Sequence, residues 1–232
     1  MLRYFFRSKK PIKSFSDPVK NLNCKELEVN NWIVSDFVIS NLVPVVGFHP
    51  YPLNELMLMT SALCRFKPEL LFEWGTNIGK SARIFYEIKK AFELNFEIHS
   101  IDLPDNIDHI EHPKNERGIL VRDIAEVLLH QGDGVQLSLE IIQKKSPKGN
   151  ILFFVDGDHE YETVQRELDT ILTAVPNAVV LLHDTFYQSE ESAYNVGPNL
   201  AIKNVLGRYG DKYRVISTQM GLPGMSLVYR NF

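Results

Sequence analysis

The 232-residue sequence predicts an α/β fold: a mainly parallel, seven-stranded sheet closed by a C-terminal antiparallel hairpin, with helices on both faces. Three observations predict it. From residue 68 onward, short apolar runs of strand length alternate with helical apolar patterns, which calls for parallel strands joined by right-handed crossovers. Near the C-terminus the alternation stops, and two β-type runs flank Gly221-Leu222-Pro223-Gly224 in the manner of a hairpin. The first apolar run also leads into two glycines four positions apart, Gly75 and Gly79, and then into a helical pattern, as at a ligand-binding βα turn.

In chain order, residues 27–42 and 52–66 read as helices, the second with Leu53, Leu56, Met57, Met59 and Leu63 at helical spacing. Together with the residues before them they form an expected unit, 1–67, of basic tail and helical cap ahead of a 68–232 ligand-binding domain. Strands are expected at 70–74, 96–101, 127–130, 151–155 and 178–182, each a run of four to six residues rich in Leu, Ile, Val and Phe. Between and after them, 81–92, 135–145, 161–174 and 199–209 carry helical patterns, and 213–218 with 225–229 make the hairpin. No internal repeat or low-complexity linker interrupts this order.

Bulk properties exclude several classes. The chain is 44% hydrophobic and 23% charged with net charge −4, so neither disorder nor a nucleic-acid footprint dominates. Charge is uneven: six basic residues against Asp17 give the first 20 residues +5, leaving −9 for the rest. That tail, with Phe5 and Phe6, has the composition of a solvated terminus more than of a membrane-surface contact. No apolar run approaches the ~20 residues of a membrane span and no signal-type apolar segment opens the chain, so a cytoplasmic location is expected. Cys24 and Cys64 are 40 positions apart, which fits neither a metal knuckle nor a disulfide framework; free thiols are expected.

Gly79-Lys80-Ser81 copies the end of a P-loop, and Lys80 at a helix start would suit a phosphate. The spacing is one residue short, because a P-loop encloses four residues between its glycines and Gly75 and Gly79 enclose three. The dinucleotide pattern G-x-G-x-x-G fails as well, since Asn77 occupies the middle position. What remains is acid-x-Gly-x-x-x-Gly-x-Ser, a strand ending in a glycine turn that accepts an uncharged ribose and an amino-acid tail. Taken alone, the segment also admits the reading of an ordinary tight turn, the lesser of the two.

In an open α/β sheet, ligands sit beyond the carboxyl ends of the strands. Each run here ends in an acid at that edge. Glu73 closes the first; Asp102, 23 residues after Gly79, stands where a ribose-binding acid is expected; His130-Gln131-Gly132-Asp133-Gly134 follows the third. The fourth gives Asp156-Gly157-Asp158-His159-Glu160-Tyr161 and the fifth His183-Asp184-Thr185. Any one of these is explicable as a turn former or helix cap, but not five in succession on one edge.

These motifs resemble the class I S-adenosylmethionine-dependent methyltransferases, in particular a subgroup with Asp-Gly-Asp-His-x-Tyr after the fourth strand and His-Asp-Thr after the fifth. The resemblance spans about residues 52–230 and implies the Rossmann-like methyltransferase fold. It implies that Glu73, Gly75, Thr76, Asn77, Gly79 and Ser81 line the methionine end of the cofactor, Asp102 its ribose, and Asp133 with Gly134 its adenine, with Asp156 alongside. A sulfonium also suits an acid-lined pocket better than a triphosphate does. On this reading Lys80 points to solvent.

Methyl transfer requires alignment of acceptor and methyl and removal of the acceptor's proton. His159 is the expected base, three residues after Asp156, where the metal-dependent catechol and caffeoyl-type relatives carry a lysine; Asp156 and Asp184 complete the catalytic set. In those relatives a divalent cation bridges two acids and an Asn. Asp156, Asp184 and Thr185 stand at those positions, Thr185 replacing the Asn, with Asp158 or His183 as substitutes for the missing ligand, and a Mg2+-type site is predicted. The stretch 186–198 is expected to be a long acceptor-binding loop, with Tyr187, Tyr194 and Asn195 as contacts beside His183. The expected reaction is O-methylation of a small polar acceptor such as a sugar or specialised metabolite. Two other readings remain: a metal-dependent hydrolase using Asp156, Asp158, His159, His183 and Asp184, and a cofactor-binding subunit without catalysis. Homo-oligomerisation is left open.

Overall fold

Strands β1 (Leu70–Trp74), β2 (Glu97–Asp102), β3 (Val127–Gln131), β4 (Ile151–Val155), β5 (Val179–His183), β6 (Tyr213–Ser217) and β7 (Met225–Arg230) form one sheet in the order β3-β2-β1-β4-β5-β7-β6. The structure, a computed structural model, describes residues 14–107, 113–192, 195–218 and 220–231. The first five strands pair in parallel; β7 pairs antiparallel with both β5 and β6. The order reverses at β1, which lies between β2 and β4, and this switch point is where such sheets open a crevice. The seven-stranded, hairpin-closed sheet expected from the sequence is therefore the one observed.

The helices are α1 (Asn31–Phe37), α2 (Val43–Val46), α3 (Leu53–Phe66), α4 (Lys80–Ala91), α5 (Gly134–Lys145), α6 (Tyr161–Ala174) and α7 (Val196–Tyr209). Strand side chains alternate between two layers. Leu71, Ile98, Leu152, Phe154 and Leu181 join Phe37, Met59, Leu63, Phe85 and Ile88 in one core. Leu70, Phe72, Trp74, Phe153, Val155 and Val180 join Val164, Leu168, Ile171 and Val205 in the other. The helices before residue 68 thus share a core with the sheet. Truncating a fully buried ring such as Phe72 or Phe153 to alanine would cost about 3–5 kcal/mol.

Some boundaries differ from expectation for local reasons. The first helix starts at Asn31 because the Asn30 side chain caps the Trp32 and Ile33 amides. It runs on past Leu42, through a π turn (Val38–Leu42) into α2, where Val43 N–H bonds to Val38 O. Pro44 has no N–H to give the α-helical ladder, and the wider turn absorbs that loss. Helix α7 begins at Val196 and not at residue 199, with Pro198 in the first turn, where no intrahelical donor is missed. The expected 186–198 loop is correspondingly shorter. Among the described residues, no helix is long and apolar enough to cross a membrane.

Candidate active site

The turn after β1 is set by close backbone approach. Gly75 has φ +95°, and a Cβ there would fall 2.4 Å from the carbonyl oxygen of Asp156, so only glycine lets the ends of β1 and β4 meet. Asn77 N–H bonds to Asp102 Oδ2 at 2.9 Å, and Thr76 Oγ1 lies 2.7 Å from Ser100 Oγ, which ties the turn to the end of β2. The result is a cavity of about 600 Å3 at the switch point. Gly75, Thr76, Asn77, Ser81, Asp102, Asp133, Gly134 and Asp156 all line it, as do Asp158 and His159.

Two residues of the turn lie elsewhere. Gly79 (φ +84°) packs toward Val121 and Gly118, away from the cavity, and serves the turn's shape. Glu73 is wholly buried beneath the cavity floor, where its carboxyl accepts from Ser81 Oγ and, at 2.5 Å, from Ser100 Oγ. Burial pushes its pKa up to about 8 despite those hydrogen bonds, so at neutral pH it is mainly a neutral acid. Lys80 corrects another expectation: it does not point to solvent. Its ammonium donates to the Val46 carbonyl at the end of α2, and partial burial lowers its pKa.

Asp156, His183 and Asp184, at the ends of β4 and β5, meet in one cluster with His159. His183 Nδ1 is 2.9 Å from Asp156 Oδ1 and 3.2 Å from Asp184 Oδ2; His159 Nε2 is 3.0 Å from Asp184 Oδ2 and 4.0 Å from Asp156 Oδ1. Burial alone would raise Asp184, but hydrogen bonds from His159 and His183 outweigh it and hold the carboxyl well below its usual range. Asp156 is likewise lowered against burial, by the His183 charge and hydrogen bonds from both histidines and Tyr51. His159, 39% exposed, is pushed up to about 10 by hydrogen bonds to Asp156 and Asp184. His183 is raised too, its carboxylate partners overcoming burial.

The remaining expected residues fall into place as follows. Asp133 is exposed and caps α5 through Gln136 N–H at 2.8 Å. Gly134 lets the backbone pass against the Trp74 ring, which a Cβ would strike at 2.6 Å. Thr185, expected as a third metal ligand, has its hydroxyl 2.9 Å from Ser226 Oγ on β7, and His183 stands with the two acids in its stead. His183 is buried, with both ring nitrogens engaged, so it is not an open acceptor contact. Tyr187 is exposed, with the Lys203 ammonium 5.5 Å above its ring. Asn195 is buried and donates to Pro223 O at 2.8 Å, clamping the hairpin turn. Tyr194 lies outside the described residues, as does most of the basic tail.

Sequence reasoning missed three groups. Tyr51 OH donates to Asp156 Oδ2 at 2.6 Å. Glu55, fully buried on α3, bonds His183 Nε2 at 3.1 Å through one oxygen and accepts Gly224 N–H at 2.8 Å through the other. The available signal for Glu55 was a carboxylate beside the apolar stripe of its helix. Glu167 also lines the cavity, and burial pushes it up to about 7.

Residues 72–185 match the model of a family described as a methyltransferase domain. A search among curated proteins finds no match. Among solved structures, the chain is similar to an O-methyltransferase from Bacillus cereus in complex with SAH, at 12% identity and TM-score 0.54 over 85% of this chain and 90% of that one. CalS11, a TDP-rhamnose 3′-O-methyltransferase of calicheamicin biosynthesis, gives 18%, 0.52, 84% and 86%. A CmcI structure described as Mg-SAM gives 16%, 0.51, 76% and 71%. At these identities the shared property is the Rossmann-like methyltransferase fold.

Proposed function

We propose that this chain is an S-adenosylmethionine-dependent O-methyltransferase acting on a hydroxyl of a small polar acceptor, a sugar or specialised metabolite. The observation that carries the reading is the switch-point cavity, lined by the glycine turn together with Asp156 and His159, with Asp184 Oδ2 3.0 Å from His159 Nε2. The methyltransferase-domain match over the same segment and the SAH-bound and sugar O-methyltransferase neighbours support it.

In this reading the Gly75 turn admits the methionine portion against bare backbone, Asp102 takes the ribose, and Asp133 with Gly134 borders the adenine. S-adenosylmethionine, when bound, would supply an activated methyl group and leave as SAH, so the chain's own residues would have to orient the acceptor hydroxyl and take up the proton it loses. His159 is the group at the cavity edge placed to take it. An imidazole held at about 10 is already protonated, so the base role requires that Asp156 and Asp184 be neutralised by another positive partner. Two carboxylates and an imidazole are a chemically fitting donor set for the divalent cation expected from the sequence as Mg2+. Such a cation would polarise the acceptor hydroxyl and lower its pKa. Tyr51 holds Asp156 in position from the far side.

Incubation with S-adenosylmethionine and a panel of hydroxylated acceptors, nucleotide sugars among them, tests the proposal by quantifying SAH. Acceptor-dependent release of SAH is expected. No turnover with any acceptor, together with no SAH binding, would refute it.

A further inference from the structure

We infer that the Asp156, His183 and Asp184 site is built for a first-row transition-metal dication, in the range from Mn2+ to Co2+, in preference to Mg2+, with His183 as nitrogen ligand and Glu55 as the carboxylate that orients it. The inference rests on the methyltransferase reading for why a cation is needed; the preference rests on the donor set itself.

Asp156, His183 and Asp184 each offer one ligand atom, all within 4.8 Å of one another. A cation with bonds of about 2.1 Å holds neighbouring octahedral ligands about 3.0 Å apart. Nδ1 of His183 lies 2.9 Å from Asp156 Oδ1 and 3.2 Å from Asp184 Oδ2, which brackets that separation. The second observation lies behind the ring. Glu55 Oε2 is 3.1 Å from Nε2, and Glu55 is itself fixed by Gly224 N–H on its other oxygen. A buried carboxylate on one imidazole nitrogen keeps the N–H there and turns the lone pair of the other nitrogen toward the metal, as in carboxylate–histidine–metal triads. The ligand Asp156 has a comparable support, because Tyr51 occupies Oδ2 and leaves Oδ1 on the His183 side. Mg2+ favours oxygen and water ligands, whereas imidazole suits first-row transition metals. A site meant for Mg2+ alone has no use for a nitrogen ligand with its own buried carboxylate.

The test uses the full chain stripped with chelator, without S-adenosyl ligands. Mn2+ binding is followed by loss of the aquo-ion EPR signal, with Mg2+ as competitor, and 14N coupling to bound Mn2+ is read by electron spin-echo modulation. The wild type should bind Mn2+ at least about 10-fold more tightly than Mg2+ and show imidazole nitrogen coupling. His183→Asp should lose the coupling and bring the two ions within a few-fold of each other, and Glu55→Gln should weaken Mn2+ by about 10- to 100-fold. Equal affinity for the two ions, absence of nitrogen coupling, or no Mn2+ binding in the wild type would overturn the inference. SAH titration of the same metal-free protein separates the two ideas. If SAH binds and Mn2+ does not, the inference fails and the methyltransferase reading stands; nitrogen-coupled Mn2+ binding without SAH binding reverses that result.

Discussion

Gly75→Ala is the substitution whose effect follows most directly from the geometry. The added methyl would sit 2.4 Å from the Asp156 carbonyl oxygen, 3.0 Å from its carbon and 3.1 Å from Gly157 Cα, all backbone atoms that no side-chain rotation can move. Restoring an ordinary contact of about 3.4 Å requires the ends of β1 and β4 to separate by roughly 1 Å. Overpacking of this kind costs about 1–3 kcal/mol, and holding alanine at φ +95° adds about 1–3 kcal/mol. The expected destabilisation is therefore about 2–6 kcal/mol, measurable by urea unfolding. Because the displaced strand end carries Asp156, turnover of any surviving folded fraction should fall by about 100-fold, the usual consequence of a 1 Å misplacement. A variant within about 0.5 kcal/mol of wild type that binds SAH equally well would refute the argument that close backbone approach builds this site.

Glu73 predicts a pH dependence. Its folded pKa, about 8, exceeds its ordinary 4.5, so between those values the native state keeps a proton that the unfolded state releases, and this group's contribution to stability declines as pH rises through that window. Glu73→Gln should flatten the decline and exceed wild type by up to a few kcal/mol at pH 9; parallel stability curves from pH 5 to 9 would contradict it. Tyr51→Phe removes one hydrogen bond to a charged acceptor and should cost about 1.5–3 kcal/mol by denaturant unfolding, with a fall in kcat; an unchanged unfolding midpoint would count against Tyr51 as a support of Asp156. His159→Gln should lower kcat by about 100- to 10,000-fold with SAH affinity unchanged, and full turnover would remove it as the base.

The sheet was legible because its cause is local. Continuous short apolar runs, whose successive side chains alternate between two covered faces, specify buried strands, and the α6 limits, residues 161–174, coincide with the helical periodic pattern. The same alternation explains where two site residues went. Glu73 follows Leu71, and His183 follows Leu181, onto the face covered by α1 to α4, so both are buried there, Glu73 beneath the cavity and His183 behind Asp156 with Nδ1 against that carboxylate. Strand-end position alone suggested that both faced ligand. Tyr51 and Glu55 were not legible because their partners are 105 and 128 residues away, contacts created only when the segment from Tyr51 into the start of α3 packs over the ends of β4 and β5. Lys80 was misjudged for the same reason: its acceptor belongs to the end of α2, whose course depends on the π turn before Pro44.

An S-adenosylmethionine site in the switch-point cavity is tested by calorimetric titration with SAH, paired with unfolding in its presence. The prediction is one SAH per chain, stabilisation of about 2.7 kcal/mol at 100 times Kd, and at least about 10-fold weaker binding in Asp102→Ala. Absence of heat and of stabilisation in the wild type, or binding that Asp102→Ala leaves unchanged, would contradict it.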